Sequence, residues 1–282
     1  MIPLTRQDVL AHQAVVPWPA LYQIEQDLLL CRTMVAIFSD RFLKDEVAMR
    51  GGTVLHKIHL APASRYSEDI DLVAVGERPK EHIRAALKRV LEPVLGRERS
   101  SAWDFVKLAV RNAVKPSEIL RVIYEVPSVS EPGRQLRIEV EVNVSERKPF
   151  RPLQMLPFSV PFRDETLQAE IASYDIHEML GTKMRALFQR MKGRDLFDLH
   201  WALTHAAPPV SPDVVIGCFL HYMAEEKTIV PRQEYLDHLA LCLEDAGFRT
   251  DMKPLLLTGL EYEPQLAGKI VSDRLLALLP LG

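Results

Sequence analysis

The chain has 282 residues, with 35 Lys+Arg against 38 Asp+Glu, a formal charge of −3, and an apolar fraction of 48%. Length and composition suit one large domain or two ordinary ones around a sizeable core, and they exclude disorder and collagen-like structure. No apolar run reaches the roughly 18 residues of a membrane span, and Met1 to Asp8 lack the basic-then-apolar order expected of a signal peptide.

Leu21, Ile24, Leu28, Val35, Phe38 and Phe42 recur at helical spacing behind Pro19, which predicts a helix over 19–47 ended by Gly51-Gly52. Residues 53–60 read as a short helix or a strand, Pro62 to Ser67 as a loop, and Ile70–Val75 as a strand. A second amphipathic helix is predicted over 79–95. Two strands, about 118–126 and 135–144, are joined by Ser130-Glu131-Pro132-Gly133, where Pro-Gly signals a turn. Residues 149–164 carry Pro149, Pro152, Pro157 and Pro161 and read as irregular, which makes them the expected domain boundary. Helices follow at 175–191, 195–205, 212–225 and 232–245. The outline is an α+β (α/β) fold: a mixed front domain over 1–160 and a helical domain over 161–282.

Cys31, Cys218 and Cys242 are scattered and odd in number, which fits a reducing cytoplasm and argues against both a disulfide framework and a cysteine zinc site. Charge is uneven. Residues 78–121 hold eleven Lys/Arg against five Asp/Glu, and 183–194 hold Lys183, Arg185, Arg190, Lys192 and Arg194 with no acid. Such runs either present a basic surface to a polyanion or are simply solvated helix faces.

Asp69-Ile70-Asp71 opens the strand at 70–75. Side chains alternate along a strand, so Asp69 and Asp71 share one face while Ile70 and Leu72 enter the core. Two carboxylates about 7 Å apart repel unless a cation lies between them, and Mg²⁺ with its hard oxygen ligands is the usual one. The plain alternative is a solvated strand end. Gly51-Gly52-Thr53 upstream would let backbone N–H groups approach phosphate, or would merely stop a helix. Arg65 places a positive charge beside the acids. Downstream, Glu139, Glu141 and Asn143 share one face of their strand, and a third carboxylate would complete a two-metal cage, with Glu141 preferred over Glu139. The alternative is ordinary amphipathic alternation.

In the helix at 175–191, Ile176, Leu180, Met184, Leu187 and Met191 form the apolar stripe. Lys183 and Arg190 lie along its edge, with Glu178 and Arg185 expected on the outer face. Lys183 either reaches a phosphate as a point charge or snorkels to water. Gly193 breaks the helix, and Asp195 and Asp198 begin the next one. Asp195 reads as a cap or dipole partner, and Asp198 as a group that orients Lys183 or an arginine, or acts as a base.

Taken in order, Gly51-Gly52-Thr53-x-Leu55, Arg65-x-Ser67-x-Asp69-Ile70-Asp71-Leu72, the Glu141-Val142-Asn143 strand, Lys183-x-x-Ala186-x-x-x-Arg190 and Arg194-Asp195-Leu196-Phe197-Asp198 resemble the AbiEii/AbiGii toxin family of nucleotidyltransferases. The resemblance spans residues 50–200 and extends to the related MenT-type toxins. It implies a DNA-polymerase-β-like nucleotidyltransferase core with a mixed sheet and a helical C-terminal domain. It implies Mg²⁺-dependent transfer of a nucleoside monophosphate from an NTP, with two ions, and a cognate antitoxin. Some relatives add nucleotides to the tRNA 3′ end, so tRNA or another RNA is the expected acceptor. By the same resemblance Asp69 and Asp71 bind metal, Gly51, Gly52 and Thr53 hold the triphosphate, Lys183 contacts NTP phosphate, and Asp198 or Asp195 is the distal acid. Gly-Gly-Thr stands where Gly-Ser is common in the wider superfamily.

Two other functions compete: nucleotidylation of a protein or small molecule, and a non-catalytic nucleotide-binding or partner-binding protein on the same fold. No H-E-x-x-H, G-x-S-x-G, Walker A or Rossmann fingerprint is present, and His56 and His59 read as surface or packing residues.

Overall fold

The computed structural model describes residues 3–107 and 116–281, with the side chains of 105–116 outside the description. Two compact units emerge. The first comprises Met1–Ile58, Arg65–Val106 and Ser117–Tyr174; the second is chiefly Asp175–Gly282, with His59–Ser64.

The first unit is built on a seven-stranded mixed sheet of order β3-β4-β5-β2-β1-β7-β6. Its strands are β1 (Val47–Arg50), β2 (Asp69–Ala74), β3 (Ser100–Lys107), β4 (Pro116–Pro127), β5 (Gln135–Asn143), β6 (Gln154–Phe162) and β7 (Glu165–Ser173). Strand β2 runs antiparallel to β1 and parallel to β5, and the hairpins β4–β5 and β6–β7 close its two sides. The predicted hairpin is present with its turn at Gly133, whose φ is +87°.

Helix α1 (Arg6–His12) is capped by Thr5 and Asp8 acting reciprocally. Helix α2 (Leu21–Ser39) lies against β5, β6 and β7 and packs on α5 (Lys80–Leu95). Ile24, Leu28, Leu29, Leu30, Met34, Ile37 and Phe38 of α2 are all at most 3% exposed. Fully burying one such side chain stabilises by roughly 1.5–3 kcal/mol, so this helix anchors the core. Its buried Glu25 is satisfied by the β4–β5 turn, accepting from Ser128 Oγ (2.7 Å), Val129 N (2.7 Å) and Ser130 N (3.0 Å).

Two expectations are corrected here, and one open choice is settled. The helix read over 19–47 ends at Ser39, followed by the short α3 (Leu43–Glu46) and then β1. Asp40 accepts from the N–H groups of Phe42 and Leu43 at 3.1 and 3.0 Å, which turns the chain. The 53–60 stretch is helical, the short α4 (Gly51–Val54) running into a π-turn at Leu55–His59. Within the proline-rich stretch, Gln154–Phe162 is strand, while 149–153 is irregular as expected. Pro157 and Pro161 lie on β6, an edge of the sheet, where a missing N–H costs no ladder bond on the outer side. The division therefore falls at Tyr174, with β6 and β7 inside the first unit, and not at 160.

The second unit is helical: α6 (Ile176–Gln189), α7 (Gly193–His205), α8 (Pro212–Glu225), α9 (Arg232–Glu244), α10 (Ala246–Thr250) and α11 (Pro264–Arg274). Helices α6 and α8 meet closely at Gly181, where a Cβ would lie 2.7 Å from the Cys218 Cβ. Among the described residues no helix is long and apolar enough to cross a membrane. All three cysteines are buried and unbridged.

Candidate active site

Strands β2 and β5 set Asp69 beside Glu139 and Asp71 beside Glu141. The alternation holds on both: Ile70, Leu72, Ile138, Val140 and Val142 are at most 1% exposed, and the acids occupy the other face. Register extends the pattern outward, because Arg50 of β1 stands opposite Asp71 and Arg121 of β4 opposite Glu141. One row across four strands thus reads Arg50, Asp71, Glu141, Arg121.

Crowding marks the carboxylates. Burial, then the charges of Asp71, Glu139, Glu68 and Glu141, push the Asp69 carboxyl up to about 7. Burial and Asp71 also raise Glu141, against the opposing pull of Arg121. Hard oxygen donors whose charges repel one another on one sheet face fit a divalent cation such as Mg²⁺. Asp69, Asp71 and Glu141 would hold it. The acids do not close on a single point, however. Among the described residues, the three side chains whose ligand atoms all lie within 4.8 Å of one another are His12, Asp27 and Cys31. There the cation is already supplied by the chain, since Lys57 pairs with Asp27.

The glycine pair has a geometric reason. Gly51 has φ +84°, and a Cβ on it would lie 2.0 Å from Asp71 Oδ2. A Cβ on Gly52 would lie 2.3 Å from Arg65 Nη2. Both glycines therefore let the Asp71 carboxylate and the Arg65 guanidinium come against the start of α4. The Thr53 hydroxyl is fully buried and bonded to Ser67 Oγ (2.7 Å) and to the Asp69 carbonyl, so it tethers α4 to β2 and leaves only its backbone for phosphate. Arg65 is 3% exposed and donates to the Tyr66 carbonyl at 3.0 Å.

Lys183, Asp195 and Asp198 come together within the helical unit. The Lys183 ammonium lies 3.1 Å from Asp195 Oδ1 and 2.8 Å from Asp198 Oδ2, and both aspartates are fully buried. Arg190 completes the group, its Nε and Nη2 reaching Asp195 at 2.8 and 3.0 Å. Asp195 lies in the first turn of α7, where a dipole partner was expected, and its side chain is a buried counter-ion rather than a cap. Burial alone would raise its carboxyl, but Lys183 and Arg190 bring it below the usual range. Glu178 and Arg185, expected to face outward, are buried against α8. Tyr222 Oη donates to Glu178 (2.5 Å), and Arg185 donates to Glu226 (3.2 Å).

Sequence reasoning missed Arg50 and Arg121. Each sits on a strand whose neighbours only the register reveals, although Arg50 immediately precedes Gly51. Arg50 is held 2.6 Å from Glu146, and that carboxylate, more than Asp71, keeps its guanidinium strongly charged against the effect of burial. The basic runs are also largely neutralised. Arg89 faces Asp40, Lys88 faces Glu98, Arg97 faces Glu92, Arg99 faces Glu125 and Arg194 faces Asp251. Arg111 and Lys115 of the first run lie outside the described residues.

The family described as "Nucleotidyl transferase AbiEii toxin, Type IV TA system" matches residues 32–269. No curated protein sequence matches the chain. Among solved structures, MenT4, a nucleotidyltransferase toxin from Mycobacterium tuberculosis H37Rv, superposes with a TM-score of 0.58 at 16% identity, covering 99% of this chain and 100% of its own. JHP933 from Helicobacter pylori gives a TM-score of 0.48 at 14% identity over 89% and 90% of the two chains. At such identity the MenT4 likeness speaks for the fold.

Proposed function

The chain belongs to the AbiEii nucleotidyltransferase toxin family of type IV toxin–antitoxin systems, and on that premise we propose that it moves a nucleoside monophosphate from an NTP to RNA, at the 3′ end of tRNA, in the cytoplasm, with Mg²⁺. The row in which Asp69 and Asp71 stand beside Glu139 and Glu141 carries this reading.

Two bound Mg²⁺ ions would lower the pKa of the attacking hydroxyl and neutralise the leaving oxygens. The chain's own part follows from its geometry. Asp69 and Asp71 offer hard oxygens on a rigid central strand, and Glu141 offers a third from the next strand. The backbone of Gly51, Gly52 and Thr53 is the phosphate-facing segment, with Arg65 fixing the local charge. In the helical unit, Lys183 is the cation assigned to NTP phosphate. Asp198 and Asp195 orient its ammonium, and Asp198 makes the shorter contact.

One observation favours a second reading, a protein or small-molecule acceptor. The cations that would grip an RNA backbone already face carboxylates. Incubating wild type and Asp71→Ala with each labelled NTP, Mg²⁺ and total RNA separates the two. Label on RNA with wild type alone supports the first reading. Nuclease-resistant label on a protein band supports the second. No transfer to any acceptor with any NTP refutes both.

A further inference from the structure

Arg121 makes more contacts with the acidic face than any strand neighbour requires. Its Nε lies 2.6 Å from Glu139 Oε1, its Nη2 2.7 Å from Glu141 Oε1, and its Nη1 3.0 Å from Asp104 Oδ2. Arg137 Nη2 takes the other oxygen of Glu139 at 2.6 Å. Both Glu139 oxygens are thus held by guanidinium groups, whereas Arg121 reaches only Oε1 of Glu141. Resting on the metal-site reading above, we infer that Arg121 is the resident counter-cation of the acidic face. It withdraws Glu139 from metal binding, leaves Glu141 Oε2 outside its own contacts, and keeps divalent-cation affinity low until a nucleotide brings its own charge.

The physical basis is simple. A fixed positive charge within a few ångströms of a divalent ion repels it, and the carboxylates that attract the ion are the same ones the guanidinium neutralises. A planar fork shared by Glu139 and Glu141 draws both carboxylates onto one guanidinium, so charge that would otherwise attract a divalent ion is already matched by Arg121. Arg121 is a positioning residue, and nothing in this role requires it to touch substrate.

The test is Mn²⁺ binding by the nucleotide-free protein, followed by the EPR signal of free Mn²⁺. Arg121→Gln is expected to bind Mn²⁺ at least about tenfold tighter than wild type, and Arg121→Lys, which keeps the charge, within about threefold of it. Unchanged or weaker binding by Arg121→Gln overturns the inference. Glu139→Gln carries the test if Arg121→Gln fails to fold. It turns more of the guanidinium charge onto Glu141 and is expected to weaken binding about threefold or more, and tighter or equal binding counts against the role. Asp71→Asn separates the two levels. If it abolishes Mn²⁺ binding while Arg121→Gln changes nothing, the metal site stands and the role of Arg121 falls. If it leaves Mn²⁺ binding intact, the metal site falls and the inference with it.

Discussion

Asp27 sits in the middle of α2 at 1% exposure, a place where an unpaired carboxylate is not tolerated. It is satisfied by Trp18 Nε1 at 2.7 Å, His12 Nε2 at 2.9 Å, the Cys31 thiol at 3.5 Å and the Lys57 ammonium. Burial pushes its carboxyl up, but Lys57 and His12 together outweigh burial and hold it well below the usual carboxylate range. Breaking such a buried pair by removing one charge costs about 3–5 kcal/mol. Asp27→Asn is therefore expected to lose about that much in urea unfolding at pH 7. The sign with pH follows from a depressed folded value. The contribution is complete above the unfolded value of roughly 4 and is lost as pH falls toward the folded one. The gap between wild type and variant should hold from pH 8 to about 5 and shrink below about 4. A gap still full-sized at about pH 2.5 would contradict the assignment.

Among the elements, the β1–α4 turn and the α6–α7 pair show what local geometry demands. Gly51 and Gly133 both have positive φ, but a Cβ at Gly133 meets open space while one at Gly51 meets Asp71. Gly133→Ala is expected to cost about 1 kcal/mol of stability and no activity, the cost of a left-handed alanine. Gly51→Ala adds the displacement of Asp71 and should lower transfer by at least about a hundredfold, measured with the labelled NTP, because displaced catalytic groups lose that much. Lys183 poses a different question, since its ammonium is both the assigned phosphate contact and the charge that keeps Asp195 and Asp198 buried. Lys183→Met alone should lower stability by about 3–5 kcal/mol. Adding Asp198→Asn should recover part of that in thermal unfolding while transfer stays lost. If activity returns with stability, the lysine is structural only.

For the whole molecule, net charge and local charge point different ways. The chain is slightly acidic overall, and the described cations of the basic runs are mostly turned to carboxylates. Counter-ion release scales with the number of phosphates neutralised. RNA association should accordingly show a shallow slope of log affinity on log salt, about −3 or less steep, in filter binding from 50 to 200 mM salt. A slope of about −6 would mean that these ion pairs open to take phosphates.

Periodicity and spacing alone carried helices α6 to α9 of the second unit, the β4–β5 hairpin, the strand bearing Asp69 and Asp71, and the core positions of Ile70 and Leu72, because each is set by neighbours within a few residues. The acids were legible for the same reason, since alternation along one strand assigns a face without reference to any other. Register across strands was not legible. It is a relation between segments that can lie more than a hundred residues apart, as Met49 and Ser173 do, and it decided that Glu139 and Glu141 lie beside Asp69 and Asp71, that Arg50 and Arg121 flank them, and that Pro157 and Pro161 lie on an edge strand. Burial of Glu178, Arg185 and Asp195 was hidden likewise, because a charged side chain goes inside only where another helix brings its partner, and helix-to-helix packing leaves no mark on the periodicity of either one.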